Sequence, residues 1–164
     1  MNQTQNQNQI KRTKIGTFMY NLTMQCGWFL DKHIWLYYIL NFTWGIFLTV
    51  IGFLLALVML ITGHKPKKFH STFYFNTRAK NWGGLEMGMT FLVSRNDHAH
   101  TVMHELGHTY QNAIFGPFML FLVSIPSAIR YWVRRFKKSE KSYDAIWFEG
   151  AASDLGEAVM NYED

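Results

Sequence analysis

The five residues His104-Glu-Leu-Gly-His108 fit the pattern H-E-x-x-H. Residues four apart on an α-helix share a face, so both imidazoles can bind the same metal ion. Glu105 is adjacent to the first histidine, near the metal but poorly aimed to be a ligand. We therefore expect His104 and His108 to bind Zn²⁺, with Glu105 as the catalytic base toward water activated by the metal. This pattern predicts a zinc metallopeptidase, a hydrolase.

The third zinc ligand is predicted to be a carboxylate. A hydrolytic zinc site takes three protein ligands and keeps one position open. The chain has one cysteine, Cys26, and no histidine after His108. The metzincin pattern is excluded, because Gln111 and Ile114 stand where it needs a glycine and a third histidine. With the last two residues set aside, five acidic candidates remain: Glu140, Asp144, Glu149, Asp154 and Glu157.

One of these candidates lies in a second motif. The stretch Glu149-Gly-Ala-Ala-Ser153-Asp154 resembles the second motif of gluzincins, the zinc peptidases that include thermolysin. In that class a second helix carries a ligand Glu and, four residues on, an Asp that supports a ligand histidine. The resemblance implies that Glu149 is the third ligand, with Asp154 the weaker choice. Here the Asp lies five residues after Glu149, and Ser153 occupies the fourth position.

A looser resemblance concerns the apolar run that follows the motif. Gly116-Pro117 and Ile125-Pro126-Ser127 are similar to an arrangement in small bacterial membrane-associated H-E-x-x-H proteins. This resemblance implies a membrane protein and gives no substrate.

Residues 34–61 carry no charge over 28 positions and predict an N-terminal transmembrane helix. Residues 10–33 mix basic and aromatic side chains, which is typical of an interfacial segment, and residues 1–9 predict a disordered tail. Two basic residues lie in 14–33 and five in 62–81. The positive-inside rule therefore predicts a catalytic part in the cytoplasm. Together with the resemblance to small bacterial proteins, this implies an integral protein of the bacterial inner membrane.

Residues 62–164 are expected to form the catalytic domain, a compact zincin-like helical unit. The sequence predicts a basic loop at 64–70, strands at 72–76 and 85–94, a motif helix from about 97–101 to 113, and a ligand helix at 143–160. The apolar segment 113–129 is short for a span and holds two prolines, so we expect either a membrane-dipping hairpin or a helix buried against this unit. The fold class is mainly α with a small β-element.

Three further expectations concern partners and alternatives. The lipid bilayer and a peptide or protein substrate are the expected partners; no nucleic acid is expected, because the basic residues flank apolar segments. The alternative is a non-catalytic membrane protein with a structural or regulatory zinc site, closed by His98 or a second carboxylate. Tyr110 and Tyr143 are candidates for polarising an oxyanion.

Overall fold

The computed structural model describes residues 12–96, 98–136 and 143–161, so the predicted tail 1–9 lies outside it. The N-terminal part holds three helices: α1 (Lys14–Lys32), α2 (Ile34–Phe42) and α3 (Ile46–Ile61). Four strands follow: β1 (Pro66–Phe69), β2 (Thr72–Asn76), β3 (Gly84–Met87) and β4 (Thr90–Val93). The C-terminal part holds α4 (Ala99–Phe115), α5 (Ile125–Phe136) and α6 (Trp147–Met160). The expectation of a mainly helical fold with a small sheet is confirmed.

Helix α4 carries the motif and lies at the centre of the molecule. It packs against α6 on one side and contacts α1, α2 and the sheet on the others. Leu106, Tyr110 and Leu155 are fully buried where these elements meet. The helix ends at Gly116, whose φ of 52° favours glycine. The predicted motif helix and its end are confirmed.

The sheet has the strand order β1-β2-β4-β3, with β2 and β4 parallel and the other pairs antiparallel. Strand β3 lies at one edge and contacts α4. The predicted strand at 72–76 is confirmed. The single strand predicted at 85–94 is wrong, because the chain turns at Gly88, where φ is 68°, and returns as β4. The predicted loop at 64–70 is also wrong over Pro66–Phe69, which pairs with β2 as β1.

The prediction of one transmembrane helix over 34–61 is wrong. In the described chain, none of the helices has both the length and the apolarity of a membrane span. Helices α2 and α3 are bent by 87° at a short break, and only together do they reach that length and apolarity. A second pair, Ala99–Phe118 with Leu120–Phe136, also reaches the length and apolarity of a span only when its two parts are taken together, and these parts are bent by 116°.

Buried polar contacts give a physical reason for the break between α2 and α3. The Asn112 side chain of α4 donates to Asn41 Oδ1 at 2.7 Å and to the Gly45 carbonyl at 3.2 Å. A buried amide costs free energy unless it is hydrogen-bonded. The Gly45 carbonyl also accepts from the Thr49 N–H at 3.3 Å, so it begins the hydrogen bonding of α3, while Asn41 lies in α2. One side chain of α4 thus binds both helices at the break between them.

The segment 113–129 does not continue α4 as a straight helix. It passes through a 3-10 turn at Gly116–Phe118 and a π-helical stretch at Leu120–Ser124 before α5 begins. Met119 and Val123 are buried with Phe148 of α6, so part of the segment packs on the domain, which is the second of the two expected arrangements. Helix α5 itself is amphipathic, and each of its residues remains at least partly exposed.

Candidate metal centre

Two glycines bring the motif helix α4 close to α6. A Cβ added at Gly107 would lie 2.6 Å from the carbonyl carbon of Ala152. A Cβ added at Gly156 would lie 2.6 Å from the carbonyl carbon of Met103. Both distances are shorter than any side chain allows, so only glycine permits this close crossing of the two helices. The crossing places the start of α6 beside the middle of α4.

Three donor atoms converge at this crossing. His104 Nε2 and His108 Nε2 are 3.1 Å apart. Glu149 Oε2 lies 3.1 Å from the first nitrogen and 3.4 Å from the second. All three side chains are buried, and Glu149 is fully so. The structure thus brings together the two predicted histidines and the predicted carboxylate, and together they could hold a metal ion.

The spacing of these atoms fits one tetrahedral ion. Ligands bonded at about 2.0–2.1 Å to such an ion lie about 3.3 Å from one another, and the three observed distances run from 3.1 to 3.4 Å. Glu149 Oε1 is buried and has no hydrogen-bond partner among the described residues. A buried carboxylate is costly unless a cation or hydrogen bonds compensate its charge.

The charges within the group are strongly coupled. Burial alone would raise the pKa of Glu149, but the two imidazoles outweigh it and hold that pKa well below its usual range. Burial likewise works to lower the pKa of His108, yet the contact with Glu149 and the nearby charges of Glu105 and Glu86 raise it to about 9. The carboxylate therefore stays ionised and attracts positive charge.

Each histidine is oriented through its second ring nitrogen. His104 Nδ1 lies 2.8 Å from Ser153 Oγ, and that hydroxyl donates to Asp144 Oδ1 at 3.0 Å. His108 Nδ1 lies 2.8 Å from Gln111 Oε1. Such contacts fix the tautomer and the ring orientation of a metal-binding histidine. Ser153, at the position where gluzincins have the Asp, thus contacts the histidine itself.

The other acidic candidates lie elsewhere. Asp154 accepts a hydrogen bond from the Tyr20 hydroxyl of α1 and is not part of the converging group. Asp144 reaches the site only through Ser153. Glu157 is partly exposed, and Glu140 lies outside the described residues. Spacing along α6 explains the result, because Glu149 and Ser153 share the face toward α4 and Asp154 points toward α1.

Glu105 is positioned by strand β3. A Cβ on Gly84 would lie 2.6 Å from the Glu105 carboxyl carbon, so that carboxyl group packs directly on the strand backbone. The backbone N–H of Glu86 also hydrogen-bonds the carboxylate, which lowers its pKa. Burial is the largest influence and raises the pKa of Glu105 above its usual range, while both histidines lower it.

Glu86 is a second carboxyl group at the site, and the sequence analysis missed it. It is buried on β3, and its pKa is raised to about 8 by burial and by the charge of Glu105, against the opposing effect of His108. Its Oε1 atom has no hydrogen-bond partner among the described residues. The alternating pattern of a strand predicts that one residue in two faces inward, but it does not say what that residue will meet.

A cleft with two lobes passes over Glu105. The apolar lobe has a volume of about 490 Å³, and its far wall comes from the residues around α5, chiefly Met119, Leu120, Val123 and Ala128. The basic lobe has a volume of about 450 Å³ and is lined by His100, Arg134 and Arg135, with Asn81 and Thr101. Both lobes share Trp82, Gly84, His104, Glu105 and Tyr131.

The predicted accessory residues fall in different places. Tyr110 is buried in the core, where its hydroxyl donates to Asp31 at 2.8 Å, so it does not face the cleft. The side chain of Tyr143 lies outside the described part of the chain. Tyr131 of α5 lines the cleft instead. His98 is the exposed N-cap residue of α4. Among the described residues, neither His98 nor a second carboxylate belongs to the group of His104, His108 and Glu149.

Comparison with known proteins identifies no relative: no family model, no curated protein and no solved structure matches this chain.

Proposed function

We propose that this protein is a gluzincin-like, zinc-dependent metallopeptidase. One observation carries the proposal: His104, His108 and Glu149 converge on one point at the base of a cleft whose wall includes Glu105. Two nitrogen ligands and one oxygen ligand suit zinc. When bound, such an ion polarises a carbonyl group and lowers the pKa of water.

The residues of the chain supply the proton transfers. Glu105 takes a proton from the attacking water as its oxygen bonds to the peptide carbonyl carbon. As the C–N bond breaks, the same carboxyl group gives that proton to the leaving amine. A raised pKa suits this double role, because the group must both accept and release a proton near neutral pH. The backbone of β3 holds the carboxyl group in place throughout.

A peptide is the substrate class that the cleft fits best. Strand β3 is an edge strand beside Glu105, and its Leu85 side chain is 40% exposed. An extended peptide can pair with such an edge through main-chain hydrogen bonds. Its side chains would then enter the two lobes on either side of Glu105.

The Glu105→Gln variant tests the proposal. It keeps the shape of the side chain and removes its basicity, so it should retain one zinc per chain and lose about 100-fold or more in the rate of peptide hydrolysis. Zinc is measured by elemental analysis and cleavage by mass spectrometry of a peptide library. Full activity in this variant would refute the proposed role of Glu105. Asp31→Asn, at a half-buried position away from the cleft, reports on general damage to the fold.

The alternative is a non-catalytic membrane protein with a structural or regulatory zinc site. A structural zinc site is closed by four protein ligands. The group found among the described residues has three, which favours the catalytic reading. Zinc-loaded protein that cleaves no member of the library would support the alternative.

Membrane association is part of the proposal. Helix α3 exposes a run of large apolar side chains: Ile46, Phe47, Val50, Ile51, Leu54, Leu57, Val58, Leu60 and Ile61. Exposed apolar surface of this extent marks an interaction site. We propose that the bent pair α2–α3 enters the bacterial inner membrane from the cytoplasmic side. Resistance to extraction by alkaline carbonate would support this, and release of the protein under those conditions would contradict it.

A further inference from the structure

The two lobes of the cleft differ in chemistry, although they meet at the same residue. Carbon-rich side chains from the segment before α5 form the far wall of the apolar lobe. The basic lobe is lined by two arginines and a histidine, namely Arg134, Arg135 and His100. Among the described lining residues of the basic lobe, Glu105 is the single acidic side chain. A ligand that passes over Glu105 therefore meets an apolar surface on one side and a basic surface on the other.

The geometry of α5 explains how the arginines reach the cleft. Arg134 and Arg135 lie three and four residues after Tyr131, which is shared by both lobes. Residues with that spacing lie on the same side of a helix, so all three side chains face β3 across the cleft. Arg135 is exposed, so a charged group from solvent can reach the basic lobe. Arg134 is half-buried, and the five N–H donors of a guanidinium allow more than one partner.

We propose that the basic lobe is a subsite for a carboxylate of the peptide, and that the enzyme selects an acidic residue on this side of the scissile bond and an apolar residue on the other. The inference rests on the proposed peptidase function and names its substrate class. Guanidinium groups bind carboxylates through paired, charge-assisted hydrogen bonds. The partly desolvated wall beside Trp82 and Tyr131 strengthens such a contact relative to open solvent.

Binding without cleavage gives the first test. Zinc-loaded Glu105→Gln protein is titrated with two short peptides that share an apolar residue for the apolar lobe and differ only by Glu or Gln beside it. We expect the acidic peptide to bind about tenfold more tightly, the effect of one charge-assisted hydrogen bond. Adding Arg134→Gln and Arg135→Gln should remove the difference. Lys65→Gln combined with Lys68→Gln, an equal loss of two charges at exposed positions on and beside β1, should leave it intact. Equal affinity for the two peptides, or a difference that survives the arginine substitutions, would overturn the subsite.

A cleavage test separates this inference from the proposed function. The wild-type protein is incubated with a peptide library, and the products are sequenced. Cleavage enriched in acidic residues on one side, and lost in the Arg134→Gln and Arg135→Gln protein, supports the subsite. Cleavage without that enrichment leaves the peptidase standing and overturns the subsite. If no peptide is cleaved while the Arg-dependent binding difference persists, the subsite stands and the peptidase proposal fails.

Anionic lipid is the competing source of negative charge for these arginines. Binding to vesicles of phosphatidylcholine with phosphatidylglycerol is measured for the same variants. If the arginine substitutions weaken vesicle binding and leave the peptide discrimination unchanged, the arginines serve the membrane and the subsite is overturned. Unchanged vesicle binding together with lost peptide discrimination supports it.

Discussion

Replacing Gly107 by alanine should separate the zinc ligands without unfolding the protein. The new Cβ would lie 2.6 Å from the carbonyl carbon of Ala152 and closer still to its oxygen, whereas ordinary contact begins at 3.4 Å. Helix α6 must therefore move away from α4 by at least 0.8 Å, because the obstacle is backbone and cannot rotate aside. Metal–ligand distances tolerate about 0.2 Å. Glu149, which α6 carries, would therefore move at least about four times too far to complete a site with His104 and His108.

The expected effects on stability and on zinc affinity differ in size. Alanine gains about 1 kcal/mol of helix propensity over glycine. Overpacking costs about 1–3 kcal/mol. The net loss of stability, about 0–2 kcal/mol, leaves the protein folded under ordinary conditions. Zinc affinity should fall by at least about 100-fold. Losing a hydrogen-bond partner of a metal ligand costs roughly 10–100-fold in affinity, and losing the ligand itself costs more.

Competition with a chromophoric zinc chelator measures the affinity, and thermal unfolding in excess EDTA measures the fold alone. The matched control is Gly27→Ala at the contact of α1 with α6. There the new Cβ meets the Leu155 side chain, with Cγ at 3.1 Å, and a side chain can change rotamer. The control should lose comparable stability and keep its zinc affinity. Wild-type zinc affinity in the Gly107→Ala variant would refute the argument that close helix crossing builds the site.

Three further predictions concern single side chains. Glu149→Ala should reduce zinc affinity far more than Asp154→Ala in the same competition assay, and the reverse ranking would make Asp154 the ligand. Ser153→Ala should weaken zinc binding about 10–100-fold by freeing His104 Nδ1, and Ser153→Thr should restore most of it; equal affinities in all three proteins would contradict this. The pKa of Glu86 is about 8 in the folded protein and near 4.5 in the unfolded chain. Between pH 4.5 and pH 8 the folded state therefore binds more protons than the unfolded state does. Stability in EDTA should therefore fall as pH rises from about 5 to 8, and urea titrations of Glu86→Gln should show a smaller fall, because the raised pKa values of Glu105 and His108 still contribute; a bound zinc ion should reduce the effect by stabilising the carboxylate.

The sequence predicted the parts of the site that depend on local geometry. A helix fixes the relation between residues four apart, so the motif alone placed His104 and His108 on one face and Glu105 beside them. No histidine follows His108, so the sequence pointed to a carboxylate as the third metal ligand. The helical composition of 143–160 and the glycine after α4 likewise predicted the two helices of the site. These conclusions need no knowledge of how the helices pack.

The sequence predicted one helix over 34–61 and one strand over 85–94, and the structure divides each of them in two. An uncharged run predicts burial in an apolar environment, but it cannot exclude a bend, and the amide of Asn112 lies 71 residues from its partner Asn41. The residues on both sides of Gly88 favour strands, so the local pattern does not indicate the turn between them. In both places a tertiary or turn contact outweighed the local pattern.

Tertiary structure alone decided which side chains surround the reactive groups. Five candidate carboxylates followed the motif once the last two residues were set aside, and the crossing at Gly107 and Gly156 brought Glu149, with Ser153 beside it, to the histidines. The edge of the sheet brought Gly84 and Glu86 to Glu105, and the bend before α5 brought Tyr131 and the basic lobe over it. Periodicity in a sequence reports which face of an element is buried. The partner of that face is set by the packing of distant segments, which no local pattern records.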